Sequence, residues 1–384
     1  MVTLAALAIA PVAAIASTSA TTPFELVDNR IVIPVEVNGT TGFHMILDTG
    51  APGLSLTPEA ARQLGLSLKP AGSVGGAGAG KVAVSSTRIA EMSVAGVRFP
   101  AMPAIVLDLD PIQRAIGFER LDGIVGSDVF QKYAFEVDPD RRMLTLWNSG
   151  YTAPPVAQRV PYTMRSGFIT VPIRVDSIEG SALLDTGDRS SFTLFGPFAR
   201  DDGFYSIEPS VRGAITGYGI GGAIDSNVVR TELGAFGYTV GGVVTRVPVG
   251  AAGAFDSTAW SGSIGNGFLT RFNVIYDLPH QTLVLWPSNS FAVRERYDPV
   301  GMWISAGARG PVVTSVLAGG PAEKAGVQIG DTILAVDGVP TGSWLPPRLR
   351  SWLDARPYGS QVTLSLASPS GQSTSRTVSI TQLL

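Results

Sequence analysis

Two aspartates, Asp48 and Asp185, each open the triplet Asp-Thr-Gly at the end of an apolar run, within residues 44–56 and 181–194. They lie 137 residues apart, about one domain length, so a site needing two carboxylates can draw one from each half of the chain. One such triplet is weak evidence, because Asp and Gly commonly make turns. Two copies, each after a strand-like run, point to paired acids. Two carboxylates about 3 Å apart cannot both ionise cheaply and share a proton. The ionised member can take a proton from a water, while the protonated member hydrogen-bonds a carbonyl that collects charge as the water attacks. That chemistry requires no nucleophilic side chain, metal or cofactor.

The elements that must position these acids occur twice. Arg30–Val37 reads as a strand followed by the hairpin signal Asn38-Gly39, and Phe168–Val175 matches it, with a turn over residues 176–180. A glycine-rich loop follows each triplet, at residues 72–80 and 213–222. An apolar-Gly step comes next, at residues 123–130 and 262–269, and each half closes with a hairpin ending in tryptophan, at Trp147 and Trp286. The same landmarks in the same order indicate an internal duplication of a mainly β unit.

This order of parts, over about Phe24 to Trp286, resembles the aspartic protease superfamily, with two retropepsin-like lobes in tandem as in bilobal pepsins. The resemblance implies a mainly β fold of two β-barrel lobes and an aspartic endopeptidase acting on a protein or peptide. It makes Asp48 and Asp185 the catalytic pair, with Thr49, Gly50, Thr186 and Gly187 as their supports. Gly126 and Gly265 would brace the catalytic loops. The glycine-rich loops would be flaps over the substrate, with Gly75, Gly76, Gly217 and Tyr218 at the substrate side. Glycine suits both places, since it lets backbone approach a carboxylate closely and lets a flap tip absorb large φ/ψ changes. The sequence departs from the pattern at two places. Ala51-Pro52 follows the first triplet, and Asp188 follows the second where a small residue is usual. A third carboxylate would push one acid of the pair further up, unless Arg189 neutralises it. Asp188 thereby keeps open the alternative of a lapsed protease that binds peptides without cutting them.

After a connector over residues 287–299, Gly310–Val316, a short helix opened by Pro321, Gly330-Asp331, a further strand and the turn Asp337-Gly338 resemble a PDZ domain of the bacterial protease-associated kind. Residues 348–355 match its second helix, and residues 361–366 and 376–381 its closing strands. The resemblance implies that an extended peptide adds as a strand to an exposed sheet edge. It places the backbone that receives the peptide's C-terminus at Gly301, Met302, Trp303 and Ile304.

The expected organisation is a signal-like segment at 1–20, lobe 1 at 24–150, lobe 2 at 156–290 and the PDZ domain at 298–384. Apolar content of 45% with 15% charge suits a core-forming chain, and a net charge of −3 gives no reason to expect nucleic acid. Without cysteine there is no disulfide and no thiol nucleophile. Leu4–Ile15 is too short for a comfortable membrane span and resembles the apolar core of a secretory signal, with cleavage after Ala16 or Ala20, although no basic residue precedes Arg30. It implies a periplasmic or secreted protein, with a membrane anchor or a buried N-terminal helix as alternatives. The chain has two histidines, His44 and His280, and neither lies near a nucleophile-elbow pattern, which excludes a serine triad. Asp122 and Asp128 read as turn or cap residues, or as tuners of Asp48. Trp147 and Trp286 are expected to pack between the lobes. Pairing inside one chain makes a monomer sufficient, with a homodimer as the alternative. No metal or cofactor is implied.

Overall fold

In the strand Arg30–Val37, Ile31, Ile33, Val35 and Val37 share one face and are buried, while Pro34 is exposed, as period-two alternation dictates. Asn38 (φ 50°) and Gly39 (φ 76°) both take left-handed backbone, the turn whose twist matches the flanking strands. The chain therefore returns as the antiparallel strand Thr40–Asp48, which ends on the aspartate of the first triplet. Phe168–Val175 and Ile178–Asp185 repeat this, with Asp176 (φ 51°) in the turn. The computed structural model describes residues 19–384 apart from 149, 202–203, 205–210 and 251–252. The signal-like stretch lies outside the described residues except for Ser19 and Ala20, which begin the strand Ser19–Pro23.

Among the described residues each lobe holds an eight-stranded sheet of one topology. In lobe 1 the spatial order is 25–27, 30–37, 40–48, 123–126, 54–56, 97–107, 81–94, 69–75; in lobe 2 it is 163–165, 168–175, 178–185, 262–265, 192–194, 238–248, 222–235, 211–219. In both, the strand ending at the acid runs parallel to the apolar-Gly strand, so Asp48 stands beside Gly126 and Asp185 beside Gly265. The duplication inferred from sequence is thus a duplication of strand order and register.

The closing hairpins of the two lobes join in one six-stranded sheet. Its centre is the antiparallel pair Ala134–Asp138 and Phe272–Asp277, where the Phe135 and Tyr276 rings stack at 4.6 Å. Trp147 and Trp286 share an apolar cluster with Ala134, Ile275 and Val284 on this inter-lobe sheet. One continuous core runs through both lobes, whereas Val300, Met302, Ile304 and the buried apolar side chains between Val313 and Ile380 form a separate core. That second unit has the sheet order 302–305, 312–316, 332–336, 361–367, 373–379, with a helix at Pro346–Asp354, so Met302–Ser305 is an edge strand. The structure is mainly β, two duplicated lobes followed by a small α+β domain. The helix Asp110–Ile116 belongs to lobe 1 and has no match in the sequence reading. The Asp108 carboxylate accepts the Asp110 amide at its start, and Gly117 (φ 85°) ends it.

Candidate active site

The two triplets meet at the junction of the lobes. A methyl group on Gly50 would fall 2.5 Å from Asp185 Cγ, and one on Gly187 would collide with the Asp48 carboxylate. Only glycine leaves room for this crossed packing, in which each triplet's backbone lies under the other's acid. The threonines hold it. Thr49 Oγ1 donates to Leu184 O (2.8 Å) and accepts from Thr186 N (3.1 Å), while Thr186 Oγ1 donates to Leu47 O (2.7 Å) and accepts from Thr49 N (3.0 Å). All four groups are buried, so each unmade bond would leave a desolvated donor or acceptor at about 1–3 kcal/mol. Gly126 and Gly265 pack against the loop backbones at Ala51 and Ser190, where a Cβ would clash. The amides of Gly126 and Gly265 donate to Gly53 O (2.7 Å) and Ser191 O (3.1 Å).

Each carboxylate also receives amides from its own loop. Gly50 N donates to Asp48 Oδ1 (2.8 Å); Gly187 N and Asp188 N donate to Asp185 Oδ1 (3.0 and 2.9 Å). Burial, with a smaller contribution from Asp188, holds Asp48 above the usual carboxylate range. Asp185 is pushed well above that range by burial and then by the charges of Asp48 and Asp188. The pair is bonded side chain to side chain and holds its proton more tightly than isolated acids do.

Asp188 is neutralised, but by Arg246 and not by the expected Arg189. Burial raises it, yet Arg246 Nη2 at 2.7 Å and the Ser190 amide and hydroxyl (2.9 and 2.7 Å) lower it more, so it stays ionised. Arg246 is itself buried on the strand Tyr238–Pro248 and also donates to Thr193 Oγ1 (2.6 Å). Arg189 turns away, to Asp28 at 3.0 Å. Asp28 also takes Arg30 (2.8 Å) and Arg350 of the second core (3.0 Å), and Arg30 Nε donates to Gly187 O (2.8 Å), backing the second triplet. Sequence reading missed Arg246, Arg30 and Asp28. The available signal for Arg246 was a cation set among Val243, Val244, Val247 and Val249.

The glycine-rich loops are hairpin tips, and the two tips touch: Gly78 N donates to Ile220 O and Gly80 N to Gly221 O, both at 2.9 Å. Gly75 and Gly76 lie in the first, and Gly76 O accepts Ala254 N (2.8 Å). Gly217 packs on Arg246, 3.1 Å from where its Cβ would be. Tyr218 departs from the substrate-facing expectation: its ring lies 5.7 Å from Trp303 and its hydroxyl bonds Thr314, so it faces the small domain. Met302, Trp303 and Ile304 are buried. Gly301 N and Val300 N donate to Asp298 Oδ1 (2.9 and 3.2 Å), so the turn expected to receive a ligand's carboxylate already holds an internal one. Asp122 accepts His44 N (2.8 Å) and pairs with Arg120, and Asp128 accepts Gly53 N (2.7 Å); both act as loop supports. The His280 side chain is exposed beside Asp277.

Comparison with known proteins adds to this geometry. Residues 33–129 match the family model described as aspartyl protease, and residues 312–367 match the PDZ domain model. No curated protein matches the chain. Among solved structures, the aspartic proteinase from Irpex lacteus is similar at 14% identity and a TM-score of 0.48, over 72% of this chain and 99% of that one. Residues 33–129 of lobe 1 thus match an aspartyl protease domain and residues 312–367 a PDZ domain, and lobe 2 repeats the strand order of lobe 1.

Proposed function

We propose that the protein is an aspartic endopeptidase in which Asp48 and Asp185 hold one water between their carboxyl groups. The observation that carries this reading is the crossed packing of Gly50 under Asp185 and Gly187 under Asp48, locked by the two threonines. Asp185, faced by both Asp48 and Asp188, keeps the shared proton and donates it in a hydrogen bond to the scissile carbonyl. Asp48 takes a proton from the water, whose oxygen bonds to the carbonyl carbon. The tetrahedral oxyanion that forms collapses as Asp48 passes the proton it took to the amide nitrogen, the C–N bond breaks, and Asp185 still holds the one shared proton. Aspartic proteases are the standard instance of such a proton-sharing pair. The touching hairpin tips cover the cleft and must part for a peptide to enter. The PDZ domain recognises peptides or regulates access, and its contact with Tyr218 puts it on the second flap. Export follows from the apolar segment Leu4–Ile15 as part of the same proposal.

Unfolded casein incubated at pH 3 to 8, with and without pepstatin, tests the reading. Asp48→Asn and Asp185→Asn should each lower kcat/KM by about 10²–10⁴-fold. Turnover that survives both substitutions removes the mechanism, and absence of turnover under every condition favours a peptide-binding protein instead.

A further inference from the structure

The crossed packing of the triplets is symmetric, but what stands behind it is not. Gly187, which lies under the Asp48 carboxylate, gives its carbonyl to Arg30 Nε at 2.8 Å. Arg30 belongs to lobe 1, opens the strand Arg30–Val37 and is 5% exposed. A tight turn at Asp28 and Asn29 (φ 50° and 60°) sets it opposite Val27. Lobe 2 has the same turn at Ser166 and Gly167 (φ 51° and 87°), which sets Phe168 opposite Arg165. Phe168 packs edge-on against Trp260 at 5.8 Å. It carries neither charge nor donor, so the first triplet, under Asp185, has no cation at the matching place.

Arg30 is not cancelled by its own partner. Asp28 answers Arg30 (2.8 Å), Arg189 (3.0 Å) and Arg350 (3.0 Å) with one carboxylate. Burial would raise Asp28, but Arg189, Arg350 and Arg30 together hold it at about 2, so it is ionised and its single charge is divided. Asp354 faces Arg189 and Arg350. Asp188 faces Arg30 from lobe 2 but is paired with Arg246 at 2.7 Å. At the dyad, burial raises both acids. Asp48 is then lowered by the Gly50 amide, by its bond to Asp185 and by the charge of Arg30, with Asp188 acting the other way. Asp185 instead meets the charges of Asp48 and Asp188, with Arg246 behind Asp188. An opposite charge favours the ionised form of an acid and a like charge disfavours it.

We propose that Arg30 is a positioning residue that breaks the symmetry of the pair: its charge, set behind Gly187, makes Asp48 the member that is ionised before the reaction and Asp185 the member that holds the proton. This rests on the protease reading and gives a cause for the roles assigned there. One proton of the water passes to the Asp48 carboxylate, the water oxygen bonds to the scissile carbonyl carbon, and Asp185 keeps its proton in the hydrogen bond to the carbonyl oxygen. Arg30 acts through Gly187 and through its field, without touching either acid. Two duplicated loops alone would give a pair that titrates together with no fixed roles. The single arginine of lobe 1, matched by a phenylalanine in lobe 2, fixes them.

Carbon NMR of the full chain with aspartate labelled at the carboxyl carbon tests this without turnover. Asp48→Asn and Asp185→Asn assign the two lines. In the parent chain the Asp48 line should ionise at lower pH than the Asp185 line, and the reverse order overturns the proposal. Arg30→Gln removes the charge but still offers an amide to Gly187 O. It should move the Asp48 step up by about one pH unit, the low end for loss of a nearby opposite charge, because Asp28 already answers Arg30 in part. The acid limb of kcat/KM should move with it, while KM at the pH optimum stays within about twofold, because Arg30 does not touch the dyad. Arg30→Lys keeps the charge and should hold the step within about 0.3 unit of the parent. An Asp48 step that does not move in folded Arg30→Gln overturns the proposal, as does a lysine variant that shifts as far as the glutamine one. If Asp48→Asn leaves the Asp185 line where it was, the acids do not share a proton and the protease reading falls as well. A coupled pair that ignores Arg30 removes this inference alone. The order of ionisation in the parent chain decides even if Arg30→Gln fails to fold.

Discussion

The two lobes share strand order, register and threonine grip, yet they support the loops that carry their Asp-Thr-Gly triplets by opposite chemistry. After its triplet lobe 1 has Ala51, and the register of its parallel pair puts Ile105 opposite Ser55; both side chains pack into one apolar cluster. Lobe 2 has Asp188 after its triplet and, at the matching register, Arg246 opposite Thr193; these form a buried ion pair at 2.7 Å. An apolar pair in one half therefore stands where an ion pair stands in the other. The lobe 2 loop is also one residue longer between its triplet and the next strand, and Asp188 receives the Ser190 amide inside that extra turn. Lobe 1 instead borrows an acid from its brace, with Asp128 receiving the Gly53 amide at 2.7 Å. A duplicated backbone tolerates either solution provided no buried charge is left without a counter-charge.

The sharpest way to break this comparison is to strand one charge. Asp188→Ala leaves Arg246 buried without its partner and should destabilise the protein by about 3–5 kcal/mol, as should Arg246→Ile for the converse reason. The double variant restores the lobe 1 chemistry and should cost far less than the two single changes added together, because an apolar pair of similar volume often matches a buried ion pair. Denaturant unfolding of the four proteins measures the coupling. Additive losses would mean that the two side chains do not act as a pair.

The threonines test the symmetry. Thr49→Val and Thr186→Val each abandon a buried amide and a buried carbonyl, Thr186 N and Leu184 O in one case and Thr49 N and Leu47 O in the other. Each should destabilise by about 1–3 kcal/mol, by equal amounts. A difference above about 1 kcal/mol between them, beyond ordinary context dependence, would show that one lobe carries the junction.

The next effect is smaller and concerns protons. Asp188 contributes to the raised position of Asp185. In the Asp188→Ala, Arg246→Ile double variant that charge is gone, so Asp185 should ionise at lower pH. The alkaline limb of kcat/KM, where the dyad loses its proton, should move down by up to about one pH unit, equivalent to about 1.4 kcal/mol. The stability sign agrees: a carboxyl held above its unfolded value contributes stability at low pH that is lost as pH rises through its folded pKa, and the double variant should lose less over that rise. An unchanged limb would mean that Arg246 already cancels Asp188 at the dyad.

What sequence made legible was whatever repeats locally or depends on backbone type. The triplets, the hairpin at Asn38-Gly39, the glycine-rich tips and the apolar-Gly steps are short patterns with a local cause, and each has its place in the folded lobes. The helix Asp110–Ile116 was legible in principle from Asp108, Pro111 and Gly117. The Arg246–Asp188 pair was not, because its partners are 58 residues apart and meet only through the parallel register of residues 192–193 with 245–246. Asp28 reads locally as a turn residue; its three arginines come from the strand that follows it, the loop after the second triplet and the PDZ helix. Tyr218 faces the PDZ domain because Trp303 is there, which no pattern inside the flap encodes.

The smallest expected effect bears on the lobe 1 solution. Asp128 lies in the turn after Gly126, and its Oδ1 receives the Gly53 amide where the chain leaves the loop of the first triplet. That bond needs an acceptor rather than a charge, and Asn keeps the same oxygen at the same reach. Asp128→Asn should therefore change stability by no more than about 0.5 kcal/mol and leave the pH limbs in place. Asp128→Ala removes the acceptor and should cost about 1–2 kcal/mol, since the Gly53 amide is only partly buried and water can answer it in part. A shift of the acid limb in Asp128→Asn would show that this carboxylate reaches Asp48 electrostatically, which would give each lobe an auxiliary charge and reduce the difference between them to one of placement.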